Sequence, residues 1–132
     1  MRRTVLADAG PLYAAADTTD EHHNRAQREL SQLERDDYKV VVAYPTLLES
    51  YNLILFRLGN NVALRWLSEM TSVVLVNPTS EDYRQAAARL QAFYDQPITL
   101  FDATVAVLAA RLDTPVWTYD HHFDMMRTTI WR

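Results

Sequence analysis

Short β-branched and apolar runs alternate with segments of helical periodicity along this chain, and few architectures accommodate that alternation. "TVLAD" (4–8), "KVVVA" (39–43), "SVVLVN" (72–77) and "TPVWT" (114–118) have strand length, with turn or charged residues at their ends. The segments between them read as helices. "TTDEHHNRAQRELSQLE" (18–34) has Asp20 as its N-cap and spaces Ala26, Leu30 and Leu33 along one face. "PTLLESYNLILFRLG" begins at Pro45 and ends at Gly59, the usual asymmetry of a helix. "NVALRWLSEM" is a shorter amphipathic helix, "SEDYRQAAARLQAFY" (80–94) a Ser80-capped one, and "PITLFDATVAVLAARL" (97–112) an almost wholly apolar one. "TTIWR" at the end is a candidate fifth strand. Strands that alternate with helices imply an α/β fold, with a mostly parallel sheet of four to five strands covered on both faces.

Length and composition narrow the field. At 132 residues the chain is expected to form one domain, 1–132, with a single sizeable core. It contains no cysteine, so disulfides, thiolate metal sites and cysteine nucleophiles are excluded, and a reducing, cytoplasmic setting is expected. The apolar run near the N-terminus is broken by Asp8, Gly10 and Pro11, which argues against a signal peptide, and no segment approaches membrane-spanning length. The formal charge is −4 and Lys39 is the only lysine. That balance does not suggest a general nucleic-acid binder, but acids gathered around divalent cations would produce it while leaving arginines for a substrate.

The placement of four acids carries the chemistry. Asp8 ends the first strand, and Asp120 lies two residues beyond Thr118 at the end of the fourth. Glu49 sits in the first turns of the helix after the second strand, among Leu47, Leu48, Leu53, Ile54, Leu55 and Phe56. Asp102 sits in the first turns of an apolar helix beside Val105, Ala106 and Ala109. A single acid there is explained by its helix dipole, worth about 0.3–1 kcal/mol. Four acids near the strand-end edge, where open α/β sheets bind ligands, ask for more. Clustered carboxylates repel unless a cation lies among them, and oxygen donors without cysteine favour Mg²⁺ or Mn²⁺. Such ions suit phosphate-ester hydrolysis.

These segments resemble the PIN-domain ribonucleases, in particular the VapC-type toxins of prokaryotic toxin–antitoxin pairs. "VLADAGPLYAAAD" is similar to the family's opening strand and first acid, and "YPTLLESYNLI" to the helix with the second. "YDQPITLFDATVAVLAARL" resembles the segment with the third acid, and "VWTYDHHFD" the terminal motif, with Phe123 packing behind Asp120. The resemblance spans essentially the whole chain. It implies a three-layer α/β/α fold and metal-dependent endonucleolytic cleavage of RNA by a metal-activated water. It makes Asp8, Glu49, Asp102 and Asp120 the catalytic set, with Asp8, Asp102 and Asp120 as metal ligands and Thr118 as a supporting hydroxyl. It also implies a cognate antitoxin and a homodimer; the lack of a spanning segment gives the separate expectation of no membrane partner.

The remaining polar residues receive quieter readings. His22 and His23 are assigned to local helix packing, and His121 and His122 to the surface or to packing. Asp124, one helical turn from Asp120, is an accessory at the rim of the site. Tyr13, Tyr44, Tyr51, Trp66 and Trp117 are more consistent with core or interface than with base stacking. The many apolar positions of 45–71 suggest a dimer or antitoxin surface. A phosphotransfer receiver domain is disfavoured because the only lysine is Lys39, and an aspartate-nucleophile phosphatase because Gly10 stands where a second acid is needed. A catalytically silent PIN-like binding module is the alternative, against which the intact acid set argues.

Overall fold

The computed structural model describes residues 3–132, and these build a four-stranded parallel sheet between two layers of helices. The elements in chain order are β1 (Arg3–Ala7), α1 (Ala9–Ala16), α2 (His23–Arg35), β2 (Tyr38–Ala43), α3 (Tyr44–Leu58) and α4 (Asn60–Glu69). They continue with β3 (Val74–Val76), α5 (Ser80–Gln91), α6 (Leu100–Leu112), β4 (Val116–Trp117) and the single turn α7 (His122–Met125). No helix among the described residues is long and apolar enough to cross a membrane.

The period-two pleat sorts each strand between two cores. Val5 and Ala7 of β1, Val42 of β2 and Trp117 of β4 face the layer that contains Leu12, Leu33, Ile54 and Trp66. Leu6, Val41, Ala43 and Val116 face the other way, onto α6, Phe123 and Met126. Both faces of the sheet are therefore buried, which is why the strands read as unbroken apolar runs.

Strand order is β3-β2-β1-β4. The chain proceeds outward from β1 to β3 and then returns to β1's free side with β4. The order thus reverses between β1 and β4, where ligand crevices form in open sheets. That pairing is short, Leu6 with Val116 and Ala7 with Trp117. It is extended by Leu6 N–H donating to the Pro115 carbonyl and Asp8 N–H to that of Trp117, both at 2.9 Å. The expected fifth strand reduces to one parallel bridge between Val116 and Ile130.

Local signals account for most boundaries. Pro45 lies in the first turn of α3. Gly59 turns the chain into α4 at φ 92°, a conformation that suits a residue without a Cβ. Two expected caps differ. Helix α2 starts at His23 instead of near Asp20, whose carboxylate accepts the His22 N–H at 2.8 Å and holds a preceding turn. Helix α5 is capped by Thr79, not Ser80: Thr79 Oγ1 accepts the Asp82 N–H while Asp82 accepts the Thr79 N–H, at 3.1 and 2.9 Å.

Asp82 has a second role that holds α5 against α6. Arg111 donates to it through Nε at 2.9 and 3.1 Å and through Nη2 at 2.8 Å, while the Asp82 side chain is only 3% exposed. These hydrogen bonds are the main reason its carboxyl is held below the ordinary range. Substituting Arg111→Leu strands a buried carboxylate, so the urea midpoint should fall by the equivalent of about 2 kcal/mol with the slope unchanged. An unchanged midpoint would mean the pair does not brace α6.

Candidate active site

Each of the four acids leaves its element at the same edge of the sheet. Asp8 is the residue between β1 and α1, and although it occupies the N-cap its side chain does not cap the helix. Its Oδ2 instead accepts a hydrogen bond from Thr118 Oγ1 at 2.8 Å, and both groups are buried. The Thr118 hydroxyl also accepts the Asp120 N–H at 3.0 Å, and Asp120 Oδ1 accepts the His122 N–H at 2.9 Å. One hydroxyl thus joins the ends of two adjacent strands. Asp102 is the third residue of α6, and its N–H donates to Thr99 Oγ1 at 3.1 Å. Thr99 caps the helix, so the buried Asp102 carboxylate is not needed as a cap. Glu49 reaches in, half-buried, from the second turn of α3.

The electrostatics tie the four together. Burial lifts the Asp8 carboxyl to about 6, against the Thr118 and Ala9 hydrogen bonds that lower it, and the charges of Glu49 and Asp120 raise it further. Burial raises Asp102 to about 7, with Asp8 and Asp120 adding to the effect. Glu49 also rises to about 7, first from burial and then from Asp102. None of these three carboxylates forms an ion pair with Arg, Lys or His among the described residues. Mutually repelling carboxylates with no cationic side chain paired to them have the donor chemistry of a Mg²⁺ or Mn²⁺ site, although among the described residues no three of their oxygens lie within 4.8 Å of one another.

The other sequence candidates divide. Asp124 is exposed on α7, where its Oδ1 accepts from Arg132 at 3.2 Å, and it lines an open cleft together with Asp120. His23 packs locally, with Nδ1 2.8 Å from the Ala14 carbonyl oxygen, and His22 lies against the Tyr119 ring at 5.1 Å. His121 lies at the surface and His122 is packed, and the Nδ1 atom of each also faces Asp120 Oδ1, at 3.9 and 3.1 Å. Trp117, Trp66 and Tyr13 are buried in the core, while Tyr44 is exposed.

Sequence reasoning missed a brace behind Asp120. Glu29 of α2 accepts from Trp117 Nε1 at 3.1 Å and from the Tyr119 hydroxyl, and it pairs with Arg25 at 3.5 Å. The Arg25 guanidinium lies 4.2 Å from the Tyr119 ring centroid. Arg25, Glu29, Tyr119 and Arg132 border the open cleft, of about 470 Å³, that Asp120 also lines. Glu29 lies on the polar side of α2, where sequence periodicity does not distinguish it from a solvated acid.

Comparison with known proteins bears on the family and the fold. The family model described as PIN domain matches residues 5–127. VapC20 of Mycobacterium tuberculosis, a toxin that cleaves the sarcin–ricin loop, superposes with a TM-score of 0.85 at 20% identity, covering 97% of this chain and 98% of its own. VapBC2 of Rickettsia felis, solved with a fragment of promoter DNA, gives 0.75 at 13% identity over 98% and 97% of the two chains. VapBC-1 of nontypeable Haemophilus influenzae gives 0.71 at 16% identity over 98% and 96%. No curated protein sequence matches the chain. At these identities the structural likeness is one of fold.

The raised carboxyls predict an unusual pH dependence. Between the ordinary carboxyl range and about pH 7 the folded state binds more protons than the unfolded chain, so stability falls as pH rises. In EDTA, the melting temperature should therefore drop from pH 5 to pH 8. Asp102→Asn should flatten that drop and stabilise the protein at pH 8 by on the order of 2 kcal/mol. Mn²⁺ should raise the wild-type melting temperature more at pH 8 than at pH 5. A flat wild-type profile, measured by circular dichroism, would contradict the burial and mutual repulsion that raise these acids.

Proposed function

Because the chain belongs to the PIN domain family, we propose that it is a metal-dependent endoribonuclease acting as the toxin of a type II toxin–antitoxin pair. The observation that carries this reading is the set of Asp8, Glu49, Asp102 and Asp120, three of them lifted by burial and mutual repulsion and without a paired cation. Likeness in fold to VapC20 and to the VapBC proteins supports the toxin part.

Asp8, Asp102 and Asp120 would hold Mg²⁺ or Mn²⁺, with Glu49 completing the pocket. A bound divalent ion supplies charge neutralisation for a phosphodiester and lowers the pKa of an attacking water. The residues of the chain then have distinct roles. Thr118 holds the Asp8 carboxylate in one orientation and fixes the backbone before Asp120. The buried run of α6 from Asp102 to Ala109 holds the Asp102 carboxyl in place, and Glu49 stays half-buried beside it. Arg25 and Arg132 border the adjoining cleft and would meet RNA phosphates there.

A toxin also needs protein partners, and the helix pair α3–α4 offers an apolar surface. Leu48, Phe56, Leu64 and Leu67 are 63%, 83%, 51% and 39% exposed. This surface suits the homodimer and the antitoxin expected from the sequence.

Labelled single-stranded RNAs and a sarcin–ricin-type hairpin, incubated with the protein, should be cut in Mg²⁺ or Mn²⁺ and left intact in EDTA. Asp8→Asn should slow cleavage by about 100-fold or more, since its carboxylate cannot be replaced by an amide as a charged ligand. Thr118→Val should cost less, about tenfold, because only orientation is lost. Cleavage that persists in EDTA, or in Asp8→Asn, would defeat the assignment. Metal binding without cleavage of any RNA would favour the silent binding module.

A further inference from the structure

The turn after β4 carries more than its acid. Asp120 Oδ1 accepts the His122 N–H at 2.9 Å, and this bend brings two consecutive imidazoles back onto the same carboxylate. Their rings lie 4.4 Å apart at 41°. Asp120, His121 and His122 are the one group of three His, Asp or Glu ligand atoms within 4.8 Å of one another among the described residues. The two histidines differ in environment, the His121 side chain being 77% exposed and that of His122 only 13%. His122 Nδ1 is shut off from solvent and makes no hydrogen bond, since its 3.1 Å approach to Asp120 lacks hydrogen-bond direction. A ring nitrogen in that condition is rare in folded proteins and calls for a partner.

We propose that Asp120, His121 and His122 form a second metal site, for a transition ion of the Zn²⁺ class, beside the four-acid pocket. The donor chemistry separates the two. Two imidazole nitrogens and one carboxylate oxygen suit Zn²⁺, Co²⁺ or Ni²⁺, whereas four carboxylates suit Mg²⁺ or Mn²⁺. Three protein donors leave the remaining positions to water, in keeping with the exposed edge on which His121 stands. Asp120 belongs to both sets. A Zn²⁺ ion held by the histidines therefore draws on the carboxylate that the acid pocket needs, and the two ions compete. That regulatory consequence rests on the ribonuclease reading, but the site itself does not.

The test uses the full chain stripped with EDTA. Titration with Co²⁺ should give visible d–d bands of a nitrogen-ligated ion at one equivalent, and calorimetry with Zn²⁺ should show a matching site. His121→Ala, at an exposed position, should weaken Zn²⁺ binding at least tenfold and abolish the cobalt spectrum. Asp102→Asn should leave both in place. Zn²⁺ binding that survives His121→Ala, or disappears in Asp102→Asn, overturns the proposal, because the ion then sits among the four acids. His122→Gln should behave like His121→Ala; should it fail to fold, His121→Ala decides alone. In an RNA-cleavage assay with Mn²⁺, Zn²⁺ should inhibit the wild type at a concentration at least tenfold lower than His121→Ala. Equal inhibition would remove the competition while leaving the binding data to judge the site. No cleavage at all, with His121-dependent Zn²⁺ binding intact, would defeat the ribonuclease reading and uphold the site.

Discussion

The two-residue parallel pairing of β4 with β1 is the constraint on which the functional edge depends. Leu6 and Ala7 meet Val116 and Trp117, and the residues just beyond, Asp8 and Thr118, are thereby brought within hydrogen-bond reach. So short a ladder is held by what surrounds it. Val5, Leu6, Ala7, Val116 and Trp117 are completely buried, and the bridge from Val116 to Ile130 pins the outer side of β4. Burial on both faces supplies the stability that so few hydrogen bonds do not.

Around that junction the fold opposes a repulsion of its own making. Asp8, Glu49 and Asp102 are all lifted above their ordinary range, first by burial and then by their neighbours' charges. Such an arrangement lowers the stability of the metal-free protein, so rigid elements must impose it. Helix α6 has the rigidity required. Asp102 to Ala109 are buried without a break, Thr99 caps its start, and Arg111 ties its end to Asp82. Where one carboxylate must not relax, the neighbouring hydrogen bonds are directed elsewhere in the fold.

Asp120 is the most versatile of the four. It is oriented through its backbone by Thr118, lies beside the Glu29–Tyr119–Arg25 brace, and faces two imidazoles. Under the two proposals, hard-ion and borderline-ion chemistry would meet at one side chain. A residue shared in this way links occupancy at either place, a thermodynamic consequence that needs no conformational change.

Much of this was legible in the chain itself. The α/β alternation followed from local patterning, because a strand buried on both faces and a helix of apolar stripe each carry their own periodicity. Three of the four candidate acids stood out for the same reason: Asp8 ends an apolar strand, and Glu49 and Asp102 interrupt apolar helices that offer no local partner. The helix starts were less so, since Thr79 and Ser80, or Asp20 and His22, are chemically interchangeable as candidates until the backbone selects one. What only the tertiary structure decided depends on sequence-distant pairs. Thr118 meets Asp8 across 110 residues, Trp117 meets Glu29 across 88, and Arg111 meets Asp82 across 29. His121 and His122 adjoin Asp120 in sequence, yet their convergence depended on a turn whose geometry the β4 pairing and the Thr118 hydroxyl set. Residue type and period determine which groups can be buried; only the packed sheet determines which of them face one another.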